Sequence, residues 1–312
     1  MIVFNGDDFL KQTLDSIYPF AHEIVIIEGA DKNAMCLANP DGSSTDKTVE
    51  IIKNYPDKYK KIRLIQGKWN NKTEEQNEYL KFMSGDYIWH VDDDEIYKHE
   101  DIKKVINYLE NNPSITAVSF YFINFFKGLN YVTKKINSKE KEVWRIFKYK
   151  KGSYFTTHRP PTMFDPETSK IMNKENPLQA SILAGEGIFF YHLSYITNKQ
   201  IREKMIYYTQ FRLNEGDAGI PFVKTFSFFR PIQKMWLRFW HIKLLIPLRK
   251  IMDRRWFNYE YINLVWNVWD QNPLNTEKHY SVLPTPNFKT ELFNGELPES
   301  LKSHQLYKLN FK

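Results

Sequence analysis

The stretch from Gly85 to Glu95 constrains this chain more than any other. An apolar pattern, Tyr87-Ile88-Trp89-His90-Val91, runs straight into four consecutive acids, Asp92, Asp93, Asp94 and Glu95. β-Branched and aromatic residues opened by the turn pair Gly85-Asp86 predict a strand. Four carboxylates cannot be buried unpaired, because each ionised group would carry a heavy desolvation cost or shift its pKa. At the C-terminal end of a parallel strand they would point into the crevice where open α/β sheets bind ligands. Hard oxygen donors placed there suit Mg²⁺ or Mn²⁺ bridging a phosphate-bearing substrate. A lone acidic run is more often a solvated turn, so the decision rests on the residues around it.

Those residues alternate strand and helix patterns. Ile2 to Phe4, Glu23 to Ile27 and Ile62 to Ile65 predict short strands, and the strand before the acids is the fourth. Between them lie helix patterns through Phe9, Leu10, Thr13, Leu14 and Ile17, and through Val49, Ile51, Ile52 and Tyr55. A third helix, running to Met83, is expected to open on a capping box at Thr73-Glu74-Glu75-Gln76. Strands separated by helices imply βαβ units and a mostly parallel sheet, with right-handed crossovers bringing the strand C-termini to one edge. Ile102, Val105, Ile106 and Leu109 mark another helix, and residues 117–126 and 187–194 predict strands of a less regular second half. Residues 127–186 read as loops with short elements.

With 312 residues, 42% of them hydrophobic, the chain can bury a sizeable core. Its single cysteine, Cys36, excludes an internal disulfide framework and points to a reducing compartment. The N-terminus lacks a signal-peptide layout, and no apolar run approaches a membrane span. A cytoplasmic protein is expected, either soluble or peripheral at the cytoplasmic membrane face. The net charge of +7 is concentrated: residues 221–256 hold nine Lys and Arg against Asp253 alone. Arg230, Lys234 and Arg238 would form one stripe on a helix, with Met235, Trp236, Phe239 and Trp240 around it. That mix suits either packing on a neighbouring domain or contact with an anionic membrane surface. A basic aromatic stripe could also hold nucleic acid, but no nucleic-acid motif accompanies it and none is expected as a partner.

Residues 2–17, 23–30, 41–52, 75–80 and 85–97 together, in their order and spacing, resemble glycosyltransferase family 2. The resemblance implies the GT-A fold, a Rossmann-like α/β sheet flanked by helices. It implies a transferase domain over 1–220, with a nucleotide-binding half (1–110) and an acceptor-side half (111–220). An aromatic, basic, helical extension (221–312) would follow. The implied activity is metal-dependent transfer of a sugar from a UDP-, GDP- or dTDP-sugar to a glycan, lipid-linked or protein acceptor hydroxyl, with inversion. Mn²⁺ or Mg²⁺ would offset the charge that develops on the departing diphosphate.

The family's Asp-x-Asp motif falls on Asp92 and Asp94. The resemblance makes both Asp94 and Asp92 metal-site residues, Asp94 as the implied direct ligand and Asp92 also as a contact to the ribose or to a metal-bound water. Asp93 holds the variable middle position on the donor side, and Glu95 is either a supporting acid or a helix N-terminal charge. Phe4 and Asn5 are placed near the base, and Glu28 where the family has an acid reading base or ribose. The usual acidic-Gly-Ser turn is split here between Glu28-Gly29 and Asp41-Gly42-Ser43, and Asp46 is a helix cap. The first strand has almost nothing before Ile2, as a start placed too far downstream or a clipped motif edge would give.

His192 is the candidate late metal ligand, weighed against a hydrogen-bonded core histidine. His158 is either an acceptor-side residue or a structural one before Pro160-Pro161. Glu186 and Asp165 are the candidate general bases. A straight strand from Glu186 to His192 would separate them by roughly 20 Å, so the pair can serve one site only if the chain bends at Gly185 or Gly187. Two other functions remain open: a nucleotidyltransferase of similar fold, for which the first loop lacks a glycine-rich basic signature, and a non-catalytic membrane or scaffold module.

Overall fold

In the computed structural model the first third of the chain alternates strand and helix as its pattern predicts. β1 (Ile2–Val3) leads to α1 (Leu10–Ile17), β2 (Ile24–Glu28) to α2 (Thr48–Asn54), and β3 (Ile62–Gln66) to α3 (Lys72–Leu80). The structure describes residues 1–133, 142–215 and 290–310. The three strands pair in parallel in the order β1-β2-β3, with Ile2 opposite Ile27 and Ile27 opposite Ile65. Every residue of β2 is buried, which is why it reads as a continuous apolar run without alternation. Leu10 and Leu14 of α1 pack with Ile24 and Ile26 in the main core.

β4 (Tyr87–Trp89) stops short of the acids, and Asp92 then bridges in parallel to Ile2. The acidic run therefore begins beside β1, at the end of the sheet where β1 and β2 also finish. β5 (Glu95–Tyr97) starts inside the run, and α4 (His99–Asn111) follows. The segment predicted as one strand over 117–126 breaks at Tyr121 into β6 (Ala117–Phe120) and β7 (Phe122–Phe126), which enter different sheets.

β8 (Tyr131–Thr133) precedes β9 (Val143–Lys148), and β10 (Tyr154–His158) and β11 (Pro161–Asp165) form a hairpin closed by β12 (Lys170–Ile171). After α5 (Met172–Glu175), β13 (Pro177–Leu178) and α6 (Ala180–Gly185) comes β14 (Phe190–Tyr195), then α7 (Asn198–Glu215). One sheet runs β13-β6-β9-β4. The other runs β15-β8-β7-β14-β5, where β15 is Thr290–Leu292. Antiparallel β9 holds β4 in place, and antiparallel β5 pairs with β14 so that Glu95 faces His192.

The helix α3 is not capped where the sequence suggests. Asn71 is its N-cap, accepting from the Glu74 amide at 3.0 Å, and the Glu74 carboxylate accepts from the Asn70 amide at 2.8 Å. The capping interaction thus lies two residues upstream of Thr73.

The chain forms two units, Met1–Gln200 with Lys289–Lys312, and Ile201–Phe288. The first unit is the α/β body. The stretch 290–310, read from sequence as part of a C-terminal extension, belongs to this unit: β15 pairs with β8, and Leu297 and Leu301 share a buried cluster with Phe9, Phe125 and Tyr191. The basic segment 221–256 lies outside the described residues. Among the described residues no helix is long and apolar enough to cross a membrane.

Candidate active site

The loop after β1 is shaped by residues from the loop before α2. Asn5 adopts a left-handed conformation (φ 50°), which Asn tolerates better than most residues. Its amide donates to Ser44 Oγ at 2.9 Å, and its Oδ1 accepts from the Thr45 amide at 2.8 Å. The Gly6 amide donates to Thr48 Oγ1 at 2.8 Å. Gly6 has to be small: a Cβ there would come within 2.1 Å of the Asp93 carboxylate. Phe4 is half-buried at the strand end.

Glu28, at the end of β2, is fully buried, and its oxygens accept from the Ser44 amide and Gln66 Nε2, both at 2.8 Å. It braces the loop that in turn holds Asn5. Asp41 closes a local exposed turn onto Ser43. Asp46 accepts from the Thr48 amide at 2.9 Å from one residue before Lys47, which is the N-cap of α2, so Asp46 is not itself the cap. It also pairs with Lys199, which reaches Asp7 as well. Burial works against ionised Asp46, but these donors hold its carboxyl below the usual range.

The four acids split into two environments. Asp92 Oδ2 accepts from Arg145 Nη2 at 3.1 Å, while its Oδ1 faces His90 Nε2 at 3.3 Å. Burial alone would raise the Asp92 pKa; the Arg145 guanidinium and His90 outweigh it and hold the carboxyl well below the ordinary range. His90 is itself fully buried, with Nδ1 3.1 Å from the Tyr79 hydroxyl, and burial keeps its imidazole neutral. Glu95 has no exposed surface. It accepts from Arg145 Nε at 2.9 and 3.0 Å, and Tyr97 donates to it at 3.2 Å. Burial pushes Glu95 up to about 8 against the pull of Arg145. Of the two sequence readings of Glu95, the supporting acid is the one its position matches, since the next helix starts only at His99. Asp93 turns its main-chain carbonyl to Thr13 Oγ1, which donates at 2.9 Å.

Asp94 faces the other way. Ser194 donates to its Oδ2 at 2.6 Å, and its Oδ1 stands 3.7 Å from His192 Nε2. His192 Nδ1 lies 2.8 Å from Asn124 Oδ1, an acceptor, which favours the proton on Nδ1, while Nε2 lies 2.6 Å from Ser194 Oγ, the hydroxyl that bridges it to Asp94. This is the tautomer and the orienting partner a metal-ligating histidine requires. Ligand bonds to a divalent ion are about 2.0–2.2 Å, so two atoms 3.7 Å apart lie within the span of one ion. Asp94 and His192 therefore fit Mn²⁺ or Mg²⁺. Among the described residues no three His, Cys, Asp or Glu side chains are grouped to hold a metal.

The tip of the β10–β11 hairpin approaches from the other side. His158 lies with its ring 6.2 Å from that of His90, and burial pushes its imidazole down despite the Asp92 charge. The two candidate bases are elsewhere. Asp165 sits at the opposite end of β11 from the tip, bound by Thr168 Oγ1 at 2.9 Å, by the Glu167 amide at 2.9 Å and by Lys150 at 3.2 Å. Glu186 is exposed at the C-terminus of α6, hydrogen-bonded to the Tyr108 hydroxyl of α4. Gly187 turns the chain (φ 76°) and β14 starts only at Phe190, so Glu186 precedes the strand that carries His192 and pairs instead with Tyr108 of α4. The geometry thus brings together Asp92, Asp94, His192 and the Asn5 loop, and leaves out both acids.

Sequence reasoning missed Arg145, Asn124, Ser194 and Lys199. Arg145 had a usable signal: it sits inside Val143-Trp144-Arg145-Ile146-Phe147, where a cation in a strand interior demands a carboxylate partner. The others become partners only through strand pairing.

Comparison with known proteins adds the following. The sequence model described as glycosyl transferase family 2 matches residues 1–175. An uncharacterized glycosyltransferase of Methanocaldococcus jannaschii is 29% identical over 176 residues, 56% of each chain. An uncharacterized glycosyltransferase of Haemophilus influenzae is 34% identical over 127 residues, 39% of this chain and 46% of its own. The poly(ribitol-phosphate) beta-glucosyltransferase of Bacillus spizizenii is 27% identical over 114 residues, 36% of this chain and 17% of its own. The chain thus spans at most 56% of the length of any of these three relatives. Among solved structures, S. aureus TarS 1-349 in complex with UDP-GlcNAc aligns with a TM-score of 0.40 at 14% identity, over 68% of this chain and 65% of that one. The mannosyltransferase PcManGT from Pyrobaculum calidifontis, in complex with GDP-Man and Mn²⁺, aligns with a TM-score of 0.31 at 18% identity, over 39% and 34%.

Proposed function

The chain belongs to glycosyl transferase family 2, and we propose that it moves a sugar from a nucleotide-sugar donor to an acceptor hydroxyl. The observation that carries this is the convergence of Asp94 and His192 beside the Asn5 loop, at the edge where β1 and β2 end. In this reading Phe4 and Asn5 line the nucleotide side, and Glu28 acts by bracing the loop around them. Asp94 and His192 hold the divalent ion, which when bound stabilises the charge developing on the leaving diphosphate. Asp92, held by Arg145 with His90 beside it, is turned to the ribose or to a metal-bound water. Asp93 packs against Gly6 and closes the loop on the donor side. His158 at the hairpin tip lines the acceptor side. Neither Glu186 nor Asp165 is part of the site.

The inverting outcome follows from the family resemblance, and the anomeric configuration of the product tests it. The acceptor is a glycan, a lipid-linked sugar or a protein, and the site of action is the cytoplasm. Basic segment 221–256 supports contact with an anionic membrane face; flotation with anionic and neutral liposomes tests it, and equal absence from both removes it. The central experiment is hydrolysis and transfer over UDP-, GDP- and dTDP-sugars with Mn²⁺. One donor should turn over, with Asp94→Ala lowering kcat/KM by about 100-fold. No turnover or binding with any donor would overturn the proposal.

A further inference from the structure

β1 covers only part of β2. Ile2 and Val3 stand opposite Ile27 and Glu28, whereas Ile24 and Val25 have β3 on one side and, among the described residues, no strand on the other. Successive residues of a strand turn their backbone groups to opposite sides. The Ile27 and Gly29 amides donate to the Met1 and Val3 carbonyls at 2.9 and 3.2 Å, and the Val25 carbonyl accepts from the Met1 amine at 2.7 Å. The Val25 amide therefore faces the same side, one place beyond the start of β1. β4 repeats the pattern from across the sheet. The Asp86 carbonyl and the His90 amide pair with β9, and Ile88 stands opposite Phe147. Tyr87 and Trp89 thus turn their backbone groups away from β9, to the side that β1 enters only where Ile2 meets Asp92.

A gap one strand wide results, and a cavity of about 790 Å³ fills it. Val25 and Trp89 border it in the plane of the sheet, Ile17 and Ile106 close one face, and Tyr79 and Met83 close the other. Because Asp92 lies opposite Ile2, residues 87–91 stand opposite Met1 and the four places before it. Both faces of the gap are apolar, as they are for β2, every residue of which is buried. An aliphatic ligand would fill the volume but leave the backbone groups of Val25, Tyr87 and Trp89 buried and unmatched. An extended peptide meets both demands.

We propose that this gap is a strand slot, and that its occupant is an extended, β-branched apolar segment of about four residues, joined to Met1 and running parallel to β2. Joined to β1, the segment needs no chain end or turn inside the apolar cavity, which a separate peptide in the same line would need. Phe4 and Asn5 follow directly on β1, so a strand held along its added length fixes the loop after it more firmly than the two paired residues alone. The slot stands apart from the Asp94–His192 pair and does not depend on the sugar-transfer reading.

The test compares the full chain with two versions extended ahead of Met1, by Val-Ile-Val-Val in one and by Gly-Ser-Gly-Ser in the other. The apolar extension should raise the thermal midpoint by about 5 °C or more over the Gly-Ser one. It should also slow hydrogen exchange at the Val25, Tyr87 and Trp89 amides by about tenfold or more. Asp in place of the second residue of the apolar extension should abolish both gains, because its charge would be buried unpaired. With a donor that turns over, the apolar extension should lower the donor KM by about threefold and leave kcat within about twofold.

Equal midpoints and equal exchange in the apolar and Gly-Ser versions would overturn the inference. So would the same protection of the unextended chain by free Val-Ile-Val-Val peptide in millimolar excess. Stabilisation with an unchanged donor KM would overturn the coupling to the loop after β1. Melting and exchange need no donor, so failure of the sugar-transfer reading is distinguishable from failure of the slot.

Discussion

Glu75 is fully buried on α3, and burial pushes its carboxyl up to about 7 against the ammonium of Lys72, 2.8 Å away. The nearby Asp31 and Asp92 charges add to the rise. A carboxyl whose folded pKa lies above its ordinary 4.5 binds its proton more tightly in the folded than in the unfolded chain. Its contribution to stability is therefore complete below the ordinary value and is lost as pH climbs through about 7. The gap between 4.5 and about 7 corresponds to about 3 kcal/mol. Glu75→Gln, which imitates the protonated form, should match the wild type at low pH and exceed it by about 3 kcal/mol above pH about 7.5 in urea unfolding. A difference between the two proteins that stays constant across that window would mean that Lys72 keeps Glu75 ionised throughout.

The helix α3 separates a cap read from a motif from the cap the chain uses. Asn71→Ala removes the acceptor for the Glu74 amide and should cost about 1 kcal/mol in urea unfolding, whereas Thr73→Ala should stay within about 0.5 kcal/mol. The reverse ranking would place the helix start at Thr73. The same element shows why some of the fold was legible and some was not. Its existence follows from local periodicity, but its first residue depends on Asn70 and Asn71, which compete with Thr73 on equal chemical terms. β2 and the acidic run were legible because burial and charge are written in consecutive residues. The break at Tyr121 was not, because β6 and β7 differ only in which distant strands they pair with, β9 and β13 for one, β8 and β14 for the other. In the site the same rule holds. Asp94 and His192 stand out as chemically unusual residues on strand patterns, while Asn124 and Ser194 gain meaning only when β7 and β14 lie side by side. Glu186 and Asp165 were plausible by position along the chain, and the strand directions then carried both away from the site.

At the scale of the whole first unit, the stretch 290–310 closes the sheet edge at β8 and supports the loop after β1. Leu301 has no exposed surface and shares its cluster with Phe9, Phe125, Leu193 and Leu297. Three residues on, His304 stacks on Phe9 with ring centres 4.7 Å apart, and its Nε2 lies 2.9 Å from the Asp8 carbonyl. Asp8 also accepts from Thr197 Oγ1 at 3.1 Å, and Lys199 reaches the Asn5 carbonyl at 3.5 Å, so the loop is held from two directions. Leu301→Ala empties part of this cluster and should cost about 3 kcal/mol, within the usual range for a buried leucine. Because His304 of the same segment stacks directly on Phe9, the loss should reach the loop after β1 before it reaches Leu193 and its neighbour His192. In steady-state assays with the donor that turns over, the variant should raise the donor KM more than it lowers kcat, since loop disorder weakens binding before it disturbs the reacting groups. Asn124→Ala, which leaves this cluster intact and removes the partner of His192 Nδ1, should do the opposite and lower kcat first. If both variants shift KM and kcat alike, the loop after β1 and the β14 edge act as one unit, and the division of the site into a nucleotide side and a metal side fails.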